Sequence, residues 1–215
     1  MVLLSQGILV AFEGIDGSGK TTQIIKVADY LRERNYTVTV THEPNPASPY
    51  AQLIKQEVHQ NRDKTSPELE LEWYTKDRAW DLEHNILPAL ERKELVLVDR
   101  YYLSSAAYQG GLDAFTLEYV LEKNSFARRP DLWLILDVSV ELGQTRLQQR
   151  SKKLIKEDHL ERVEFQEKVL TNYKRLSEMD IGGVVEWVDS TIDELSLTEV
   201  IGELIIQFVQ EFSES

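Results

Sequence analysis

Gly14-Ile15-Asp16-Gly17-Ser18-Gly19-Lys20-Thr21 brings three glycines, a lysine and a hydroxyl together at the spacing G-x-x-x-x-G-K-T. Such a loop can cradle a chain of phosphates. Gly14, Gly17 and Gly19 let the backbone turn until successive N–H groups point inward at phosphate oxygens. Lys20 adds a positive charge, and the Thr21 hydroxyl can ligate Mg²⁺. An apolar run, Ile8 to Phe12, precedes the loop, and a helical pattern starts near Thr22, so a helix N-terminus adds its positive end to the same place. The reading is a nucleoside-triphosphate site; the competing one is a Gly-rich turn with a chance lysine.

A second constellation is Asp99-Arg100, at the end of the apolar run Leu95 to Val98. An acid there, downstream of such a loop, has the position of a metal-associated aspartate, and a guanidinium grips phosphate with two parallel hydrogen bonds. The alternative is a surface salt bridge beside a strand. Tyr74 and Arg78 stand four residues apart on one helical face, able to stack and hydrogen-bond a base or simply to pack. Arg146, Arg150, Lys152, Lys153 and Lys156 form a basic run between two helical patterns: a lid that closes on the triphosphate, or a solvated helix end. Asp16 is read either as a contact to a sugar hydroxyl or as a solvent-facing loop residue. His59 and His84 read as ordinary helix or surface residues.

The elements that must hold these residues alternate strand and helix. Strands are expected at Ile8–Phe12, Thr37–Thr41, Leu95–Asp99, Leu132–Val138 and Val184–Val188. Helices are expected from Thr22 to about Arg34, over Tyr50–His59, from Ser66 past a kink at Pro88, from a cap at Asp113 to about Ala127, over Val140–Arg150, His159–Met179 and Ile192–Phe212. Three prolines within His42–Pro49 make a stiff loop after the second strand. This order predicts a doubly wound, mostly parallel five-stranded α/β sheet with helices on both faces. One domain is expected over 1–215, with a lid segment at about 150–160.

Composition narrows the partners. The chain has 215 residues, 42% of them hydrophobic and 28% charged, with a net charge of −13. So acidic a protein is a poor general binder of nucleic acid or of anionic membranes, and no stretch approaches the length of a membrane span. There are no cysteines, which excludes thiolate metal sites and cysteine nucleophiles and fits a cytoplasmic location.

Taken together, the motifs resemble the thymidylate kinase family. The resemblance rests on Phe12 to Gln23, Asp77-Arg78-Ala79, Asp99-Arg100-Tyr101, Ser104-Ser105-Ala106-Ala107-Tyr108-Gln109-Gly110, Arg129-Pro130-Asp131-Leu132 and Leu136-Asp137-Val138, in the family's order and spacing. It implies the fold of P-loop nucleotide kinases, transfer of the γ-phosphoryl group of ATP to dTMP with Mg²⁺, and a homodimer. It also implies site roles. Gly14 to Thr22, including Ile15, Ser18 and Lys20, together with Arg146, would bind ATP; Thr21 and Asp99 would hold the metal. Asp16 would contact the 3′-hydroxyl of the acceptor and Arg100 its phosphate. Tyr74 would stack on thymine, Arg78, Ser104, Ser105 and Gln109 would read its edge, and Tyr108 would fill the space of a ribose 2′-hydroxyl. The loop carries no arginine between Gly14 and Lys20, so the resemblance points to a lid-arginine type in which Arg150 stabilises the transferring phosphoryl group. Lys20, Arg100, Arg150 and Asp16 form the expected catalytic set.

Two departures stand out. The family's Asp-Arg-x-Glu reads Asp158-His159-Leu160-Glu161, and its Arg-Glu-Pro-Gly-Gly reads His42-Glu43-Pro44-Asn45-Pro46. With His42 in place of an arginine, the expectation is a weaker acceptor-phosphate contact that strengthens as pH falls.

Overall fold

The computed structural model describes residues 2–60, 64–111, 114–150 and 163–214. Among the described residues five strands, β1 (Ile8–Glu13), β2 (Val38–His42), β3 (Leu95–Asp99), β4 (Leu132–Asp137) and β5 (Val184–Asp189), form one sheet in the order β2-β3-β1-β4-β5. Every pairing is parallel. The sheet is thus parallel throughout rather than mostly so.

The central strands β1, β3 and β4 are apolar on both faces because both faces are covered, whereas the edge strands β2 and β5 carry polar residues and are partly exposed. Ile8, Val10 and Phe12 of β1 pack with Leu95, Leu97, Leu132, Leu134 and Leu136 under α1 (Lys20–Glu33) and α9 (Glu194–Glu214). The alternate residues Leu9 and Ala11 face the other way, with Val96, Val98, Trp133 and Ile135, into a larger core. That core is closed by α3 (Pro67–Asp81), α4 (Leu87–Glu91), α5 (Tyr102–Gln109), α6 (Leu117–Lys123) and α8 (Val163–Ser177). Each large apolar side chain contributes about 1.5–3 kcal/mol on burial, so the two-residue alternation of β1 anchors both layers.

Register aligns the chemistry. β1 and β3 are neighbours, and Phe12 lies opposite Asp99. The glycine loop after β1 and Asp99-Arg100 after β3 therefore emerge side by side at the carboxyl edge, where open α/β sheets bind ligands.

Some expected boundaries move. The helix placed over Tyr50–His59 is α2 (Pro49–Leu53), capped by Ser48, running into a π-helical turn over Ile54–Val58. A second π-helical turn, Leu82–Ile86, separates α3 from α4 just ahead of Pro88, which has no N–H to donate to the regular helical ladder. The helix expected from Asp113 begins at Leu117, where the Thr116 side chain accepts from the Tyr119 N–H; the chain ahead of it is held instead by a bridge between Gly110 and Phe115. Asp113 and the lid beyond Arg150 lie outside the described residues, and α7 (Val140–Arg150) ends where the lid was expected to start.

Candidate active site

The phosphate loop is built for close approach. Gly14, Gly17 and Gly19 all have positive φ, at 136°, 80° and 100°. A Cβ on Gly17 would sit 2.2 Å from the Gly143 carbonyl oxygen of α7, so two glycines let that helix rest directly on the loop. Gly19 caps α1 without any side-chain hydrogen bond, which leaves the first N–H groups of the helix for an anion. Lys20 is buried and folds back over the loop. Its ammonium donates to the carbonyls of Gly14 and Ile15, both at 2.8 Å, and to Ser18 Oγ at 3.3 Å. Burial, with Arg100 close by, lowers the Lys20 pKa to about 8.

Thr21 Oγ1 donates to Asp99 Oδ2 at 2.6 Å, while the other oxygen, Asp99 Oδ1, is buried with no hydrogen-bond partner among the described residues. A hydroxyl and an orphaned carboxylate oxygen beside a phosphate loop suit Mg²⁺, which takes one or two protein oxygens and completes its shell with water and substrate phosphates. Among the described residues no group of three or more His, Cys, Asp or Glu side chains could hold a metal, so no all-protein cage competes with this arrangement.

Arg100 is held in the left-handed region, φ 66°, at the end of β3. Its N–H donates to the Phe12 carbonyl at 2.9 Å, which fixes the turn. The guanidinium ion-pairs with Asp16, donates to Ser104 Oγ at 3.2 Å, and lies 5.1 Å from the Tyr108 ring centroid. A non-glycine residue kept at positive φ by surrounding bonds is a common signature of a working site. Burial acts to raise the Asp16 carboxyl, but Arg100 and Lys20 outweigh it and hold the group below the ordinary aspartate value.

Asp16, Lys20, Thr21, Arg78, Arg100, Ser104, Ser105, Tyr108, Gln109 and Tyr74 all line one cavity of about 390 Å³. A second cavity of about 370 Å³ lies on the other side of the loop, lined by Ser18, Thr22, Gln23, Arg146 and Glu194 among others. Gly17 and Gly19 line both. Arg146 is fixed there by a 2.8 Å bond to the Ser190 carbonyl. Arg150 is the last residue of α7.

The wall far from the loop is a buried polar network. Arg78 is 1% exposed. It pairs with Glu43 through Nε at 3.2 Å and through Nη2, and donates further to Asn124 Oδ1 and Ser105 Oγ. Of the five guanidinium N–H bonds, one on Nη1 is left over among the described residues. Burial pushes the Glu43 carboxyl up against the pull of Arg78, and the nearby Asp81 and Asp77 push the same way. Asn45 ties this loop down: its backbone N–H donates to Asp77 at 3.0 Å and its side-chain amide to Asp81 at 2.7 Å. His42 is outside this set. It is exposed at the last position of β2 and does not line the cavity; the next residue, Glu43, does.

A family model described as "Thymidylate kinase" matches residues 12–195. Among curated proteins, "Thymidylate kinase" of Desulfotalea psychrophila is 43% identical over 171 residues, 80% of this chain and 82% of that protein. "Probable thymidylate kinase" of Archaeoglobus fulgidus is 43% identical over 147 residues, 67% of this chain and 71% of that protein. The same description from Pyrococcus abyssi is 39% identical over 178 residues, 81% of this chain and 84% of that one. The chain belongs to the thymidylate kinase family.

Within this thymidylate kinase framework, several side chains at the site carry no local sequence signal. Glu13, fully buried, receives the N–H groups of Tyr101 (2.9 Å) and Ser104 (3.1 Å), the Ser104 hydroxyl (2.6 Å) and the Tyr173 hydroxyl (2.9 Å). It caps α5 from a neighbouring strand, and α5 has no capping side chain of its own. Gln166, on α8, clamps Asp16 by accepting its N–H and donating to its carboxylate, both at 3.1 Å. His59 lines the cavity and shares a 3.2 Å hydrogen bond with the Tyr74 hydroxyl. Asn124 and Glu70 complete the set. All five act across separations in sequence that periodicity does not reveal.

Proposed function

We propose that the chain moves the γ-phosphoryl group of ATP to dTMP, giving dTDP, across the loop that divides its two cavities. ATP-dependent phosphorylation of dTMP is the reaction of the family to which it belongs. The observation that carries the assignment of sides is that Gly17 and Gly19 line both cavities while Lys20 and Arg100 line only one. A triphosphate on the loop would have its base side toward Arg146 and its terminal phosphate toward Arg100.

Lys20 and the open N–H groups of the loop and of α1 hold the donor phosphates. Thr21 and Asp99 would hold Mg²⁺, which would supply neutralisation of phosphate charge. Arg100 leaves its contact with Asp16 to grip the acceptor phosphate, and Asp16 then turns to the 3′-hydroxyl of the sugar. Tyr74 stacks on thymine, Arg78 and Gln109 meet its edge with Ser104 and Ser105 behind them, and Tyr108 blocks a 2′-hydroxyl. The acceptor phosphate is already an ionised nucleophile, so the protein supplies alignment and charge neutralisation rather than a strong base. Arg150 is assigned to the transferring phosphoryl group and Arg146 to ATP. A homodimer and a cytoplasmic location are part of the same reading.

Coupled ATP consumption with and without dTMP tests this, across a panel that includes dUMP, dCMP and free deoxynucleosides. Turnover should be greatest with dTMP. A preference for a free nucleoside or a different monophosphate would overturn the acceptor assignment, and ATP binding without turnover on any acceptor would make the chain a silent homologue.

A further inference from the structure

Glu70 and Gln109 are both buried, 5% and 8% exposed, and both line the cavity assigned to the acceptor. They come from different helices, α3 and α5, and meet in a 3.1 Å hydrogen bond from Gln109 Nε2 to Glu70 Oε1. The other end of the Gln109 amide, Oε1, is buried and has no hydrogen-bond donor among the described residues. A buried acceptor without a partner is costly, so it is a place where a bound molecule that brings an N–H gains affinity.

An amide can turn over and exchange its donor for its acceptor; an ionised carboxylate can only accept. The Glu70 carboxylate therefore dictates which end of Gln109 is left for a ligand. Arg78 lines the same cavity and, among the described residues, has spent four of its five N–H bonds and keeps one donor. The wall thus offers one donor and one acceptor. Thymine and uracil carry the complementary edge, a carbonyl O4 that accepts and an N3–H that donates. Cytosine carries the reverse, an N4 amino group and a bare N3, and would set donor against donor and acceptor against acceptor.

We propose that Glu70 is a specificity-determining positioning residue. By fixing the orientation of the Gln109 amide, it makes the acceptor cavity select a 4-oxo, N3–H pyrimidine over a 4-amino one. This rests on the dTMP kinase reading above and adds a residue to it.

The test is kcat/KM for dTMP, dUMP and dCMP in the wild-type protein and in Glu70→Gln, with thermal unfolding as a check on the fold. Gln at 70 has nearly the same shape but can donate, so Gln109 is free to turn. The dTMP:dCMP ratio should fall about tenfold, carried by KM, while the dTMP:dUMP ratio stays put because both bases present the same edge. Exchanging the pair, Glu70→Gln with Gln109→Glu, puts an acceptor back toward the base and should restore the preference. A role for Glu70 in packing alone would lower all three substrates together and leave both ratios unchanged in either variant; that result overturns the proposal. If Glu70→Gln unfolds, the exchanged pair decides: a folded variant that has lost the preference for dTMP over dCMP overturns it too. Absence of wild-type turnover on dTMP would instead sink the underlying assignment.

Discussion

The two sides of the site are made of different material. On the side assigned to the donor the groups that matter are mostly backbone: three glycines at positive φ and the uncapped start of α1, joined by one lysine whose described partners are loop carbonyls and Ser18. On the side assigned to the acceptor they are buried side chains in two hydrogen-bonded sets, Arg78 with Glu43, Asn124 and Ser105, and Glu70 with Gln109. A backbone cradle keeps function and stability further apart, because its N–H groups need no side chain to meet an anion; Lys20, bonded to the Gly14 and Ile15 carbonyls and Ser18, is where the two touch. A buried network joins the two, because each member removed strands another.

That contrast can be broken by experiment. Lys20→Ala should cut turnover about a thousandfold while the unfolding transition moves little; a large loss of stability would show that the loop depends on its lysine as a strut. Arg100→Ala should cost a similar factor, measured in the same coupled assay, with the added sign that Asp16 loses its ion-pair partner. Glu43→Ala should destabilise the fold by about 3–5 kcal/mol in a denaturant titration, since it leaves the Arg78 charge buried and unpaired; a loss below about 1 kcal/mol would mean the pair behaves as a surface one. A smaller effect concerns pH. The Lys20 pKa, lowered to about 8, must rise when phosphates arrive, so ATP binding should take up a proton near that pH. ATP affinity is then fully present below about 8 and falls as pH rises through it, visible as a buffer-dependent binding enthalpy. The smallest effect is at His42, which is exposed outside the cavity. His42→Ala should change KM for dTMP by less than about twofold, with KM flat between about pH 6 and 8.

The same divide governs what could be read without coordinates. The donor loop announces itself because its residues are consecutive and each type has one physical use. The strands were legible to within a residue or two, since a strand covered by helices on both faces must be a continuous apolar run bounded by turns. Thr116 caps α6, just after a local bridge between Gly110 and Phe115 that no hydrophobic period announces, while the expected cap, Asp113, lies outside the described residues. The acceptor wall was legible only through resemblance. Arg78 could be read equally as packing or as recognition, and its geometry serves both: locked by Glu43 and Asn124, with one N–H remaining. Glu13, Glu70, Asn124 and Gln166 meet partners 39 to 160 positions away, and nothing in their neighbours' spacing encodes that. His42 occupies a motif position but lies exposed at the end of β2, outside the lining of the cavity, a placement its pattern does not encode.

The bonds of Glu13 have a bearing on distance. This residue is joined by one peptide to Gly14, the first residue of the donor loop, and its carboxylate receives the first N–H groups of the helix that carries Ser105, Tyr108 and Gln109. Donor cradle and acceptor helix are therefore gauged from a single point. Beyond the β1–β3 register, this side chain's length helps to set the gap a phosphoryl group must cross, so Glu13→Asp, one methylene shorter, should alter the separation of two substrates without replacing a residue that lines the cavity.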